Sequence, residues 1–141
     1  MTPANYSRRD LIWPKTSVFD AMLIVVIGEY IYARAIGQSG VFLENIGTTV
    51  FNAGWAAAPF ALLWAFHKPL EKRGNLLLAS AAGLALIFAG WTAHYRSGYL
   101  RYMDGAQDAV NIRATLIILM LPAFVFAIML FIALVTRLRG N

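Results

Sequence analysis

The chain has 141 residues, of which 60% are hydrophobic and only 13% are charged, and its formal net charge is +5. A soluble domain of this length could not bury so many apolar side chains, because small domains have a high ratio of surface to volume. The sequence contains no cysteine, which excludes disulfides, thiolate metal sites, iron–sulfur clusters and covalently attached haem.

Four apolar runs of membrane-spanning length divide the chain, and they cover residues 18–36, 48–66, 76–93 and 116–135. Each run has about 18 to 20 residues, which as a helix matches a hydrocarbon core roughly 30 Å thick. We therefore predict an all-α, polytopic membrane protein whose single domain, residues 1–141, is a four-transmembrane-helix bundle. An interfacial or projecting segment, residues 94–115, separates the third and fourth spans.

The N-terminal tail contains Ser7-Arg8-Arg9-Asp10-Leu11-Ile12, which resembles a twin-arginine export signal. The apolar segment after it contains Glu29, and three further spans follow. We therefore expect the segment to be retained as the first span and not cleaved. Ser17 and Asp20 have the spacing of a capping box for this helix, and Thr48 or Thr49 could cap the second.

The basic residues flank the apolar runs and do not form one exposed face, which argues against nucleic-acid binding. If the N-terminus is cytoplasmic, eight basic residues lie inside: Arg8, Arg9, Lys15, Lys68, Lys72, Arg73, Arg137 and Arg139. Four then lie outside: Arg34, Arg96, Arg101 and Arg113. By the positive-inside rule we expect both termini in the cytoplasm, with the protein in a bacterial inner membrane.

The short connection between the second and third spans predicts that these helices are antiparallel neighbours. Each of them carries alanines at every fourth position, which places them in one row along the helix. The rows are Ala53, Ala57, Ala61 and Ala65 in the second span, and Ala81, Ala85, Ala89 and Ala93 in the third. Small side chains let membrane helices approach closely, so we predict that these two rows pack against each other.

The segment before the fourth span contains Asp104-Gly105-Ala106-Gln107, which has the pattern of a helix start. We predict one helix from Gly105 to Thr136 that projects beyond the membrane. Tyr95, Tyr99 and Tyr102 fall on one helical face just before it. The pattern favours an interfacial anchor over a docking surface.

Glu29 lies near the middle of the first span, where an ionised carboxylate must be paired or become protonated. With the N-terminus inside, Asn52, His94, Arg34 and Arg113 lie at a similar depth, which predicts a polar cluster in the outer leaflet. The functional interpretation is a site for a proton, an ion or a polar headgroup. The structural interpretation is an interhelical hydrogen bond from Glu29 to Asn52 or to a partner chain. Both remain open.

We expect no cofactor and no metal site. His67 and His94 are the only histidines, and they lie at opposite ends of a predicted antiparallel hairpin, so they cannot ligate one haem iron. The sequence contains no catalytic triad pattern and no phosphate-binding loop. These absences favour a protein that is not an enzyme.

The first interpretation of function is an accessory or structural subunit of a membrane complex, which packs against other membrane subunits or against copies of itself. The second is a small oligomeric transporter. Four short helices with one glutamate midway along the first resemble the small multidrug resistance family, and this resemblance implies proton coupling through Glu29. The resemblance covers the arrangement of the helices and the single residue Glu29. This chain departs from the family in being longer and in having a charge bias that favours one orientation in the membrane. The third is a quinone- or lipid-handling enzyme that uses the polar cluster.

Overall fold

The computed structural model describes residues 12–37, 45–70, 75–105 and 112–139, and its regular structure there is entirely helical. The helices are α1 (Ile12–Ala35), α2 (Ile46–Ala65), the single-turn α3 (His67–Leu70), α4 (Asn75–Met103) and α5 (Ile112–Arg139). The four long helices are long and apolar enough to cross a membrane. The prediction of an all-helical chain with four helices of spanning length is therefore confirmed.

Two predicted helix starts differ from the structure. Ser17 lies inside α1 with its side chain fully buried, so it does not cap that helix. Helix α2 begins at Ile46 after Asn45, which places Thr48 and Thr49 within its first turn. Residues 7–11 of the twin-arginine-like motif lie outside the described residues.

The first part of the predicted projecting segment, residues 94–103, belongs to the third long helix, and residues 112–115 belong to the fourth. Helix α4 continues beyond the predicted span to Met103, and a turn at Asp104 and Gly105 follows it. Gly105 has a φ of 76°, and its amide donates to the Tyr102 carbonyl at 3.1 Å. Glycine favours this left-handed conformation and commonly ends helices. Gly105 therefore follows the end of a helix, whereas the sequence pattern placed it at the start of the next; residues 106–111 lie outside the description.

The order of the helices around the bundle is α1, α2, α5, α4. Helix α1 packs chiefly against α2 and α4, and α5 packs against the same two helices. Helices α2 and α4 lie diagonally opposite and touch only slightly. The prediction that these two helices are close neighbours with facing alanine rows is therefore wrong within this chain.

The periodicity of the buried residues explains why the alanine row of α4 faces outward. The buried positions of α4 recur every three or four residues and include Leu76, Ala79, Gly83, Ile87 and Trp91. A residue two positions away from such a site points about 200° around the helix, on the opposite side. The row Ala81, Ala85 and Ala89 is displaced by two positions, so all three alanines are exposed. In α2, Ala53 and Ala57 are buried and Ala61 is exposed.

Two large side chains lie at the centre of the bundle, between α2 and α4. Phe60 of α2 and Met129 of α5 are fully buried. A Cβ at Gly83 of α4 would lie 3.0 Å from Phe60 Cε1 and would overlap the Met129 side chain. These two side chains therefore fill the space beside Gly83, and only a glycine fits there without displacing them.

Polar side chains connect α5 to its neighbours. Asn75, the first residue of α4, is buried, and its amide Nδ2 donates to the Leu70 carbonyl and, at 3.3 Å, to the Ala133 carbonyl of α5. Trp55 Nε1 of α2 donates to the Leu119 carbonyl of α5 at 2.9 Å. These bonds fix the position of α5 along α2 and α4.

We predict that Gly83→Leu destabilises the bundle, because a larger side chain must displace Phe60 or Met129 from a packed interior. The expected loss in free energy of unfolding is about 1–3 kcal/mol, the usual range for overpacking. The matched control is Gly54→Leu, since a Cβ at Gly54 meets no atom within 4 Å. The measurement is thermal unfolding in detergent, followed by circular dichroism. Equal losses in the two variants would contradict the assigned packing.

Candidate functional site

The polar side chains singled out in the sequence lie toward one end of the bundle, where α1 and α4 finish and where α2 and α5 begin. We call this end of the bundle the distal end. The opposite, proximal end contains the first residues of α1 and the last residues of α5. The first two helices supply the centre of the site. Glu29 lies in the last two turns of α1, whereas Thr49 and Asn52 lie in the first two turns of α2.

Both oxygens of the Glu29 carboxylate accept hydrogen bonds from α2. Thr49 Oγ1 donates to Oε2 at 2.5 Å, and Asn52 Nδ2 donates to Oε1 at 2.8 Å. Thr49 and Asn52 are three residues apart, so both side chains extend from the same face of α2. Thr49 is only 2% exposed. Bonds to a carboxylate are stronger than bonds between neutral groups, and here they join α1 to α2.

The Glu29–Asn52 hydrogen bond is one of the alternatives considered from the sequence, and the structure contains it. The sequence pattern does not indicate Thr49 as the second partner, because a threonine at the start of a helix is commonly a cap. The available signal was the spacing of three between Thr49 and Asn52, which places two hydrogen-bond donors on one face near the depth of Glu29.

Tyr95 of α4 packs against the same part of α1. Its hydroxyl donates to the Val25 carbonyl at 3.1 Å, the carbonyl that the Glu29 amide reaches in a regular α-helix. A Cβ at Gly28 would overlap the Tyr95 ring, so glycine is needed at this contact. Tyr95 is therefore half-buried between helices, whereas Tyr99 and Tyr102 are exposed.

Trp91 and His94 complete the interior face of α4 beside Tyr95. Their ring centroids lie 5.8 Å apart, and Trp91 is only 2% exposed. Trp91 Nε1 and His94 Nδ1 are buried and have no hydrogen-bond partner among the described residues. The Glu29 carboxylate interacts electrostatically with His94 and with Tyr95. The site thus contains one satisfied carboxylate and two nearby nitrogens with unused hydrogen-bonding capacity.

The two arginines predicted to join the cluster lie elsewhere. Arg34 is exposed, and its Nη1 donates to the Tyr30 hydroxyl at 3.5 Å. Arg113 is exposed in the first turn of α5. The structure therefore brings Asn52 into contact with Glu29 and His94 into its electrostatic range, but neither arginine pairs with the carboxylate within the part of the chain that the structure describes.

The geometry provides hydrogen-bonding groups and not a set of metal ligands. Among residues 12–37, 45–70, 75–105 and 112–139, no three His, Cys, Asp or Glu side chains come together as a possible metal site. His67 lies at the proximal end of the bundle, where its Nδ1 contacts the Trp64 carbonyl, far along the bundle from His94. One haem iron could not be ligated by both histidines.

Comparison with models of protein families, with curated proteins and with solved structures finds no match to this chain. The class that the fold defines is a small bundle with four helices of membrane-spanning length.

We predict that Thr49→Val destabilises the protein by about 1.5–3 kcal/mol, because an oxygen of the half-buried Glu29 carboxylate loses its donor while the shape of the side chain is nearly kept. Thr48→Val is the matched control, since Thr48 is exposed in the same turn of α2. Unfolding in detergent with increasing denaturant measures both variants. A Thr49 variant as stable as the Thr48 variant would show that the bond to Glu29 contributes nothing.

Proposed function

We propose that the chain is an integral membrane protein of a bacterial inner membrane, with both termini in the cytoplasm, and that it acts as an accessory or structural subunit of a membrane complex. The observation that carries the proposal is the alanine row of α4. Ala81, Ala85, Ala89 and Ala93 are all exposed on the side of α4 that faces away from the bundle.

An exposed row of alanines suits contact with another helix better than contact with lipid alone. Membrane helices associate through close van der Waals packing, and small side chains let their backbones approach. Within the described residues, all four alanines are exposed, so no other helix of this chain covers the row. The packing that the sequence pattern indicates is therefore available to a helix of a partner subunit or of a second copy.

The outer face of α5 has a different character. Ile117 and Met120 are each 66% exposed and Phe131 is 65% exposed. Large flexible and aromatic side chains of this kind suit acyl chains or an apolar partner surface.

The hydrogen bonds of Glu29 also support the subunit interpretation. Because both of its oxygens already accept bonds from α2, the carboxylate has a structural role that requires no transported ligand.

The test is purification of the tagged protein from its native membrane in mild detergent, with identification of co-purifying proteins by mass spectrometry. We expect a larger membrane protein in stoichiometric amount. Ala85→Trp should reduce its recovery at least tenfold, because the large ring blocks close helix contact. Ala61→Trp, at an exposed alanine of α2, is the matched control. A clean homo-oligomer, or equal recovery from both variants, would contradict the subunit role.

A second candidate, the small proton-coupled transporter, is favoured by two buried nitrogens that have no hydrogen-bond partner in the described part of the chain, Trp91 Nε1 and His94 Nδ1. Together with Glu29 they form a polar site inside an apolar bundle, and ionisable groups in such places commonly mark transport pathways. In this role Glu29 would bind a proton or a cationic substrate in alternation.

For the transporter, the purified protein is reconstituted in liposomes and uptake of tetraphenylphosphonium, a hydrophobic cation, is measured against a pH gradient. The transporter interpretation expects uptake that Glu29→Gln abolishes and that Asp20→Gln leaves unchanged, since Asp20 is an exposed acid of the same helix. Absence of uptake by the unaltered protein, or unchanged uptake by Glu29→Gln, would reject proton-coupled transport of this cation through Glu29.

A further inference from the structure

A second site lies on the outer surface of the bundle, in a groove between α1 and α4. The groove has a volume of about 610 Å³ and is open along its length. Helix α1 lines it with Leu23, Ile27 and Ile31, and α4 lines it with Phe88, Arg96 and Tyr99. The groove follows α1 for about 12 Å from Leu23 to Ile31, at the helical rise per residue.

The aromatic contacts described above form the inner wall of this groove. Tyr32 of α1 and Tyr95 of α4 stack with ring centroids 5.8 Å apart. A Cβ at Gly98 would lie 2.8 Å from the Tyr32 hydroxyl oxygen, so the Tyr32 ring rests directly on the α4 backbone. The Tyr32 and Tyr95 rings fill the space between α1 and α4 on the side of the bundle interior. The space between the two helices on the outer surface is left open. The groove is thus a consequence of tightly packed residues and not of loose packing.

The distal part of the groove carries a positive charge that no described acidic side chain neutralises. Arg96 is exposed, lines the groove and makes no ion pair with any acidic side chain in the described ranges. A guanidinium presents a planar set of donors that matches the oxygens of a phosphate group. Tyr32 and Tyr99 line the groove near it, and tyrosines are common at the level of lipid headgroups.

We propose that this groove binds one anionic phospholipid, with the phosphate on Arg96 and one acyl chain along Leu23, Ile27 and Ile31. The lining selects this ligand, because an apolar groove continues into one cation, Arg96, that has no acidic partner among the described residues. The Glu29 cluster lies in the bundle interior behind this groove, and Trp91 and Tyr95 belong to both. The lipid site rests on the membrane insertion proposed above, but neither on the subunit role nor on transport.

The test compares lipid binding by the purified full-length protein, by Arg96→Gln and by Arg113→Gln. Arg113 is an exposed arginine at the same end of the bundle that does not line the groove, so it controls for the change in charge. Each delipidated protein is titrated with phosphatidylglycerol or phosphatidylcholine, and bound lipid is counted by native mass spectrometry. We expect tight binding of one phosphatidylglycerol, weakened about tenfold or more by Arg96→Gln and less than twofold by Arg113→Gln.

A second pair of variants tests the acyl-chain part of the site. Ile27→Trp fills the groove and should also reduce binding, whereas Ile117→Trp on the outer face of α5 should not. Equal binding of the two lipids, or equal effects of the two arginine variants, would overturn the proposal. Unchanged binding by Ile27→Trp would place the lipid elsewhere and overturn it too.

Alkaline extraction of the membranes that contain the protein separates this failure from a failure of membrane insertion. Release of the protein into the soluble fraction would contradict the integral membrane assignment. Retention in the membrane, combined with no preference for phosphatidylglycerol, would contradict only the lipid site.

Discussion

A carboxylate inside an apolar helix requires hydrogen-bond donors or a proton, and Glu29 obtains its donors from the neighbouring helix. This requirement sets both the rotation and the height of α1 against α2, because Thr49 and Asn52 must face the carboxylate together. The Tyr95 hydroxyl binds the turn of α1 that precedes Glu29. The position of α4 therefore depends on the same region, and three of the four long helices meet around one acid.

The remaining architecture follows from side-chain volume. Phe60 and Met129 occupy the centre of the bundle beside Gly83, and α2 and α4 lie diagonally opposite across it. The existence of the four long helices was predictable, because runs of apolar residues determine it directly, whereas the extension of α4 to Met103 was not. The helix order was not predictable, since a short connection favours adjacent helices. The alanine row of α4 also gives no indication of whether its partner belongs to the same chain.

The candidate site was predictable in depth but not in rotation about the helix axes. Distance along the span placed Asn52 and His94 near Glu29, and one contacts its carboxylate while the other interacts with it electrostatically. The same argument included Arg34 and Arg113, which are exposed. Depth alone cannot distinguish a side chain that faces the bundle from one that faces outward. An uncharged polar residue such as Thr49 is also common in membrane helices, so its presence in the sequence does not indicate a site. The groove beside Arg96 depends on two helices together and has no signal in either one.

The most direct test of this account is a double-mutant cycle between Glu29 and Asn52, measured as free energy of unfolding in detergent. Asn52→Leu leaves one oxygen of the half-buried Glu29 carboxylate without its donor. Glu29→Leu leaves the Asn52 amide and the Thr49 hydroxyl without their acceptor, whereas the double variant removes both members of the Glu29–Asn52 pair. We expect the double variant to be more stable than the sum of the single losses implies, by about 0.5–3 kcal/mol. Additive losses would show that the carboxylate does not join α1 to α2.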